Sequence, residues 1–329
     1  MIPRTVAVVG GGTIASSLTL ALARHGVRVR LVPENLAGAG AGAAAGTGAP
    51  DRPADLAVLA VPPSRVATVL AHCRRVGLAE AYTDMTGVDA AAGRDAADGH
   101  EAGSDGTGYG DAAAGHATGS ADATGWVGSA DATGSDDATR PDDSDYLAGH
   151  PLTDLTGSDA SAGLFEGRPW VLVPTPATSR ETLNRVLGLT ALCGAVPVVM
   201  DHASHDAAMA RTAHAPRLLT ALLAARFHPP QPHLLRLTEP DLCELLRPAD
   251  LDTELWSDLL RGNAAAVSAV LREVSADLDV LLGALEGVDS PDAADREQSR
   301  KQLAHLLEQG RDGYAAVAAH HSGRAGGVR

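Results

Sequence analysis

A glycine-rich turn near the start of the chain constrains its fold more than any other feature. Thr5–Val9 is an apolar run typical of a buried strand, and Gly10-Gly11-Gly12-Thr13-Ile14-Ala15 follows it directly. An apolar-periodic helix then extends to His25, and a second strand-like run covers 27–32. This order of strand, turn, helix and strand predicts a βαβ unit whose two strands are parallel in one sheet.

The residues of this turn are typical of a dinucleotide site. Gly10 permits a tight turn, and Gly12 permits the backbone to approach a pyrophosphate at the positive helix N-terminus. Ala15 is small enough for close packing of the helix on the sheet. Thr13 and Ile14 begin the helix and are further candidate cofactor contacts. The alternatives are a purely structural turn or a site for another nucleotide.

The end of the second strand bears on which dinucleotide is bound. An acidic residue that holds the ribose hydroxyl is expected there, but Pro33 occupies the position and Glu34 follows it. Glu34 is still able to hold that hydroxyl, and no arginine just beyond it would accept a 2′-phosphate. The sequence therefore favours NAD, with NADP as the alternative.

Short apolar runs continue to alternate with helical patterns up to residue 200. They predict successive strands of one parallel sheet. Val61 and Pro62, where one of these strands ends, are also candidate cofactor contacts. The predicted strands are 55–61, 81–85, 170–173 and 195–200, and the predicted helices are 64–75 and 178–193.

Helical patterns alone follow residue 201. Ser204 is predicted to cap a long helix that ends at Phe227. The fold class is therefore α/β: an N-terminal Rossmann-type parallel-sheet domain over 1–201, then an all-α domain over 202–287 and a helical tail over 288–329. The other predicted helices are 241–246, 252–272, 274–285 and 297–319.

An acidic segment from about 90 to 145 differs in composition from the rest of the chain. It consists mainly of Gly, Ala, Asp, Ser and Thr, and Ser-Ala-Asp-Ala-Thr-Gly occurs at 120–125 and again at 129–134. Thirteen acidic and two basic residues from Asp89 to Asp145 give a charge of −11, which leaves −4 of the total −15 for the rest. A disordered insertion is predicted, because such a composition cannot form a core. The alternative, an acidic calcium-binding repeat, is disfavoured because no regular spacing of carboxylates is sustained. Since the remainder is only mildly acidic, nucleic acid is not an expected partner.

A Gly- and Ala-rich run at 37–50 is interpreted as a loop. The three cysteines, Cys73, Cys193 and Cys243, are far apart and form no Cys-x-x-Cys motif. The chain opens on a strand, with no signal-peptide pattern and no apolar run long enough to cross a bilayer. A cytoplasmic protein with no membrane partner and no metal site is therefore expected.

The helical region has polar residues in positions that suggest a site. His214 lies nine residues after the His205-Asp206 pair. Arg247 precedes Pro248 between two predicted helices, where a guanidinium is able to clamp a carboxylate. The structural alternatives are a packed histidine at 214 and a surface ion pair at 247.

Taken in order, these motifs resemble the prephenate and arogenate dehydrogenases of tyrosine biosynthesis. The resemblance covers nearly the whole chain outside the acidic segment. The matching residues are Gly10-x-Gly12 with Ile14 and Ser17-Leu18, the run 55–62, Thr83-Asp84, His150-Pro151, the run 164–172, His205-Asp206, His214, Pro216, Arg247, Trp256 and Asn263.

The resemblance implies an activity and a set of roles. The expected reaction is NAD(P)-dependent oxidative decarboxylation of a cyclohexadienyl substrate, prephenate or arogenate, to an aromatic product. His150 would accept a hydrogen bond or proton from the ring hydroxyl. Arg247 would anchor a substrate carboxylate, and His214 would line the substrate side of the cleft. The helical domain would form a homodimer.

Some residues depart from the family pattern. Gly87 and Asp89 replace the family's serine and lysine, although that serine helps to place the catalytic histidine; Thr86 stands beside it. Arg217 replaces a histidine and is able to contact a carboxylate. The substrate could therefore be a ring analogue such as 4-amino-4-deoxyprephenate from specialised metabolism, or the chain could be a non-catalytic dinucleotide-binding relative. Another two-domain Rossmann enzyme is disfavoured because no lysine precedes Lys301.

Overall fold

The computed structural model describes residues 1–34, 52–87, 143–153 and 159–325, with side chains described up to residue 321. The loop predicted at 37–50, most of the predicted acidic insertion and Asp89 lie outside the described residues. The chain divides into two compact units, Met1–Asp201 and His202–Arg329.

A single sheet forms the centre of the first unit. Among the described residues it has seven strands, in the order β2-β1-β3-β4-β5-β6-β7. Strands β1 to β5 pair in parallel, β5 and β6 pair antiparallel, and β6 and β7 are parallel to each other. The strands are β1 (Thr5–Gly10), β2 (Arg28–Val32), β3 (Leu56–Ala60), β4 (Tyr82–Asp84), β5 (Tyr146–Pro151), β6 (Pro169–Val173) and β7 (Val196–Val199).

The sheet differs from the sequence prediction in two ways. Strand β5 was not predicted, because Gly149 and His150 interrupt its short apolar run. The prediction that all strands are parallel is wrong for β6 and β7. No helix lies between β5 and β6 in the described residues 152–153 and 159–168, whereas a parallel return normally needs a crossover connection, usually a helix.

Helices cover both faces of this sheet. Alternate residues of a strand point to opposite faces, so Val6 and Val8 pack in one core cluster while Ala7 and Val9 pack in the other. The first cluster includes residues of α1 (Gly12–Ala23) and α3 (Arg180–Leu192), and the second includes residues of α2 (Pro63–Arg75). The Rossmann-type fold predicted for this part of the chain is confirmed.

The second unit is entirely helical in its described residues, as predicted. A π-helical turn, Ala210–His214, separates two of its helices. The α-helices are α4 (His202–Met209), α5 (Ala215–Ala224), α6 (Pro232–Leu235), α7 (Pro240–Leu246), α8 (Thr253–Gly262), α9 (Ala264–Gly287) and α10 (Ala293–Ala325).

Three details of these helices correct the sequence prediction. The first helix begins before Ser204, which therefore is not its cap, and it does not continue unbroken to Phe227. The predicted helix 252–272 ends at Gly262, because glycine followed by Asn263 is a weak helix-forming pair. Helix α9 then passes without a break through the predicted gap at residue 273.

The described residues also bear on membrane and metal binding. None of their helices is both long and apolar enough to cross a bilayer. They hold no cluster of three or more His, Cys, Asp or Glu side chains that could ligate a metal ion. All three cysteines are free, and burial raises the pKa of Cys73 to about 11 and that of Cys193 to about 12. These two buried thiols are protonated at neutral pH.

Candidate functional site

The glycine turn leaves an open helix N-terminus beside the sheet. Gly10 has a φ of +109°, and a Cβ there would lie 2.1 Å from the carbonyl oxygen of Ala60. By contrast, a Cβ at Gly11 or Gly12 would meet no atom of the described residues within 4 Å. No side chain in the described part of the chain caps α1, and the first turn of this helix contains no acidic residue. The backbone N–H groups of that turn are therefore accessible to an anion.

A crevice suited to a dinucleotide follows from the order of the strands. The chain moves from β1 to β2 on one side and then to β3 on the other, so the order reverses between β1 and β3. Ligands of open parallel sheets bind at the carboxyl ends of such strands. Gly10 lies opposite Ala60, and the buried Val61 and then Pro62 follow β3 at this edge. Thr13 and Ile14 are half-buried in the first turn of α1.

Glu34 lies close to an arginine that local sequence did not indicate. The Oε1 atom of Glu34, two residues after β2, is 3.5 Å from Nη1 of Arg65. Arg65 is in the first turn of α2, 31 residues further along the chain. A cation therefore lies beside the position expected to face the ribose. No sequence pattern links the two residues, because only the packing of α2 brings them together.

His150 lies at the same edge of the sheet as the glycine turn. It is half-buried and is the residue before the end of β5. Because β1, β3, β4 and β5 are parallel, their carboxyl ends share one edge. The fold of the first unit thus brings His150 and the residues of the glycine turn to one edge.

A buried carboxylate holds the backbone immediately before His150. Asp84, at the end of β4, is fully buried, and its Oδ1 accepts a hydrogen bond of 2.8 Å from Gly149 N. The N–H of Gly87 donates to the carbonyl oxygen of Gly149 at 3.0 Å. A Cβ at Gly149 would lie 2.9 Å from Thr83 Oγ1. Gly149 is therefore fixed on both of its polar groups and has no space for a side chain.

The segment after Asp84 explains the departure at the family's serine position. Asp84 Oδ2 accepts hydrogen bonds from the N–H of Thr86 at 2.9 Å and from its hydroxyl. Burial raises the pKa of Asp84, although the hydrogen bonds from Thr86 and Gly149 oppose this effect. Gly87 has a φ of +70°, a conformation in which a side chain is strained. Thr86 thus bonds to Asp84, and Gly87 offers no hydroxyl.

A second group of polar residues surrounds His214 in the helical unit. His214 is buried, and its Nδ1 is 3.2 Å from Nδ2 of Asn263. The same Nδ2 donates to the carbonyl oxygen of Asp206 at 2.9 Å. Trp256 packs edge-on against the imidazole at 5.8 Å between centroids, and the guanidinium of Arg217 lies 5.3 Å from the Trp256 ring centre.

Charges around His214 favour its neutral form. Burial lowers the pKa of His214, and the nearby His205 and Arg217 lower it further, whereas Asp206 opposes them. Asp206 also pairs with His205, Oδ1 to Nδ1 at 3.0 Å. The buried imidazole is therefore uncharged at neutral pH and is suited to hydrogen bonding.

Arg247 is more exposed than the cluster around His214. It begins a short 3₁₀ segment after α7, and 63% of its side chain is exposed. Its Nε is 3.4 Å from Oε2 of Glu244, one helical turn earlier. The surface ion pair considered as the alternative is thus present, and its exposure leaves the guanidinium accessible to an anion.

Sequence reasoning missed the positions of three polar residues. Asp84 matched a family motif but had no assigned structural role, Asn263 was expected to be either a helix cap or a site residue, and Arg65 was not singled out. A carboxylate inside the predicted strand 81–85 was the available signal for Asp84, and an Asn after Gly262 was that for Asn263. No local signal pointed to Arg65.

Comparison with known sequences gives relatives that are described as prephenate or cyclohexadienyl dehydrogenases. Residues 201–309 match a family model described as "Prephenate dehydrogenase, dimerization domain". The chain is 33% identical over 318 residues to the probable prephenate dehydrogenase NovF of Streptomyces niveus, covering 94% of this chain and 76% of the relative. It is 27% identical over 147 residues to a cyclohexadienyl dehydrogenase of Zymomonas mobilis, covering 43% and 50%, respectively.

Solved structures show the same fold. The chain is similar to a prephenate dehydrogenase from Aquifex aeolicus in complex with hydroxyphenyl propionate and NAD⁺, with a TM-score of 0.65, 15% identity and coverage of 95% of this chain and 98% of that one. It is also similar to an arogenate dehydrogenase from Synechocystis, with a TM-score of 0.59, 19% identity and coverage of 94% and 99%. At these identities, the likeness concerns the fold.

Proposed function

This chain belongs to the prephenate dehydrogenase family, and we propose on that premise that it catalyses the NAD-dependent oxidative decarboxylation of prephenate or arogenate. The products would be 4-hydroxyphenylpyruvate or tyrosine, with carbon dioxide. The observation that carries the proposal is the position of His150 at the same sheet edge as the glycine turn. A general base and a dinucleotide site must lie on one edge if both are to act on one substrate.

The first unit has residues that fit NAD. Gly10, Gly12, Thr13 and Ile14 would hold the pyrophosphate at the N-terminus of α1, where no side chain of the described residues caps the helix. Glu34 would bind the ribose, and Val61 and Pro62 would line the crevice after β3. Because Arg65 is within 3.5 Å of Glu34, NADP remains the alternative cofactor. When bound, the nicotinamide supplies the hydride acceptor.

Three side chains would bind the substrate and transfer its proton. His150 accepts a hydrogen bond or proton from the ring hydroxyl as the hydride leaves the same ring carbon. Arg247 binds one substrate carboxylate through its exposed guanidinium. His214 contacts the substrate as a neutral imidazole. When the ring carboxylate leaves as carbon dioxide, the electrons of the broken C–C bond enter the ring and the ring oxygen regains its proton from His150. The ring becomes aromatic, which drives the reaction forward.

A homodimer is part of the proposal. The match to a dimerization domain supports it. Several leucines of α9, including Leu278, Leu282 and Leu285, are about half exposed. Their spacing places them on one helix face, which a second copy of the chain would bury.

A second candidate substrate is an amino-substituted ring such as 4-amino-4-deoxyprephenate. Gly87 favours it, because the serine hydroxyl that helps to place the ring hydroxyl in the family is replaced by a glycine in a left-handed conformation. The hydroxyl of the neighbouring Thr86 does not replace the serine hydroxyl, because it donates to Asp84.

The test is turnover by the full chain with prephenate and with arogenate, each with NAD and with NADP. Formation of reduced nicotinamide is expected in at least one mixture. His150→Ala should lower kcat by about 10²- to 10⁴-fold, the usual contribution of a general base, while dinucleotide binding is retained. His25→Ala, an exposed histidine after α1, is the matched control.

The outcomes separate the hypotheses. If no reduced nicotinamide forms in any of the four mixtures but 4-amino-4-deoxyprephenate is turned over, the second substrate would be favoured. Dinucleotide binding without turnover of any of the three ring substrates would contradict the proposed activity and support a non-catalytic relative.

A further inference from the structure

Asn263 occupies an unusual place between two helices. It follows the end of α8 and precedes α9, and only 8% of the residue is exposed. Asparagine at such a junction normally caps the following helix, but the side chain of Asn263 makes no cap hydrogen bond to α9. Its amide instead contacts Asp206 and His214, residues 57 and 49 positions away in the chain.

The hydrogen-bond partners determine how this amide is oriented. The carbonyl oxygen of Asp206 is only an acceptor, so the group that faces it at 2.9 Å must be the NH₂ of Asn263. The second hydrogen on that nitrogen is then available to His214 Nδ1 at 3.2 Å. An imidazole nitrogen that accepts a hydrogen bond carries no proton, so the proton of the neutral ring is on Nε2.

We propose that Asn263 is a positioning residue that holds His214 in the Nε2–H tautomer and thereby presents it to the substrate as a hydrogen-bond donor. The role toward substrate rests on the proposed function. The tautomer itself depends only on contacts within the helical unit. Among the described residues, no side chain or backbone group is hydrogen-bonded to Nε2 of His214, so this donor is available to a ligand oxygen.

Burial is the main cause that lowers the pKa of His214 and keeps this imidazole uncharged, and the neighbouring charges act on it in both directions. His205 and Asp206 of α4 and Arg217 of α5 are the titratable or charged groups that act on His214. Arg211 of the π-helical turn is paired with Glu273 of α9 at 2.7 Å in an exposed ion pair. Helix α8 contributes Trp256, which has no charge. A protonated imidazole would have a hydrogen on Nδ1 facing the Asn263 NH₂, which is a repulsive contact.

As a consequence, His214 presents a hydrogen-bond donor, the Nε2–H group, in a fixed direction. A neutral imidazole that exchanged between tautomers would present a donor or an acceptor at Nε2, and only the donor binds a carboxylate oxygen. Fixing the tautomer removes the unproductive state before the substrate binds. Arg217, which stacks over Trp256 beside His214, adds a positive charge that also favours an anionic substrate group.

The direct test is imidazole ¹⁵N–¹H correlation spectroscopy of the full chain without substrate or cofactor. His214→Gln identifies the signals of His214. We expect a protonated Nε2 and an unprotonated Nδ1 in the wild type across neutral pH. In Asn263→Asp, a carboxylate faces Nδ1, so this nitrogen should gain a proton and the pKa of His214 should rise. Asn184→Ala, in α3 of the other unit, should leave the His214 signals unchanged.

Kinetics test the role toward substrate. Asn263→Ala should lower kcat/KM about tenfold, the value of one hydrogen bond, chiefly through a higher KM. Far-UV circular dichroism checks that each variant is folded. A wild-type ring protonated at Nδ1 would overturn the proposal without any variant. A changed tautomer with unchanged kcat/KM would overturn its catalytic part. A chain that turns over no substrate would refute the proposed function but leave the nitrogen result decisive.

Discussion

Asp84 is a buried residue that fixes the backbone next to His150, the proposed general base. Its carboxylate joins the end of β4 to Gly149 on β5, across 65 positions of sequence. A buried carboxyl group is costly unless its oxygens accept hydrogen bonds, and Asp84 accepts them from Gly149, Thr86 and Tyr146. The position of His150 thus depends on a polar group in the layer beneath it.

We predict that Asp84→Asn lowers both stability and activity. The amide must direct its NH₂ at the N–H of Gly149 or at the donors of Thr86, so the free energy of unfolding should fall by about 1–3 kcal/mol. His150 should shift, and kcat should decrease at least about tenfold, as expected for misplaced catalytic groups. Urea unfolding and steady-state kinetics measure the two effects.

Asp55→Asn is the matched control for this prediction. Asp55 accepts hydrogen bonds from the N–H groups of Arg4 and Thr5, at the amino edge of the same sheet. Although burial opposes it, these hydrogen bonds and Arg185 lower the pKa of Asp55. The control should affect stability but not kcat. Equal kcat values in Asp84→Asn and the wild type would contradict the positioning role.

At the scale of elements, strand β1 and helix α1 pack tightly against the sheet, whereas part of the turn between them faces open space. Val6, Val8, Leu18 and Leu22 are buried in one cluster, and each such side chain contributes about 1.5–3 kcal/mol to stability when fully buried. The turn between the two elements has open space on its outer side at Gly11 and Gly12. Gly10 is therefore needed for packing, whereas Gly11 and Gly12 leave space for the proposed cofactor.

A pair of glycine substitutions tests this separation. Gly10→Ala should destabilise the first unit severely, because its Cβ would lie 2.1 Å from the Ala60 carbonyl oxygen and φ is +109°. Gly11 has an extended backbone with φ of −155° and free space, so Gly11→Ala should fold normally. Gly11→Ala should still weaken NAD binding if the cofactor approaches this turn. Thermal unfolding and NAD titration distinguish the two effects, and a stable Gly10→Ala protein would refute the packing argument.

At the scale of the whole molecule, the helical unit buries few large apolar side chains. Its buried apolar residues, among those described, are Met209, Ala210, Ala215, Val267 and Ala284. Leucines remain exposed on several of its helices. Small apolar cores are marginally stable, and oligomerisation commonly compensates for this.

We therefore predict that the full chain is a dimer in which the exposed α9 face is buried. Sedimentation velocity should give roughly twice the chain mass of 33.4 kDa, the commonest oligomeric state. Leu282→Glu should shift the equilibrium to monomer, because it places a charge within an apolar contact. Leu31→Glu, at an exposed position of β2 in the first unit, is the control. A monomeric wild-type chain would contradict the prediction.

The sequence alone determined the elements whose signals are local. These signals each extend over only a few residues. They are the Gly10 turn between a strand and a helix, the alternation of strand and helix patterns up to residue 200, and the helical patterns after it. They were sufficient for the fold class. The family resemblance, and with it His150 and His214 as candidate site residues, came instead from the order of the motifs along the chain.

Only the tertiary structure decided the relations between distant residues. Four relations each join separate segments of the chain. They are the antiparallel direction of β6, the ion pair of Glu34 with Arg65, the hydrogen bond from Gly149 to Asp84 and the contact of Asn263 with His214. Such contacts depend on how elements pack, and packing depends on the shape of all the buried side chains together. Local periodicity records which face of an element is buried, but not which residue of another element it meets.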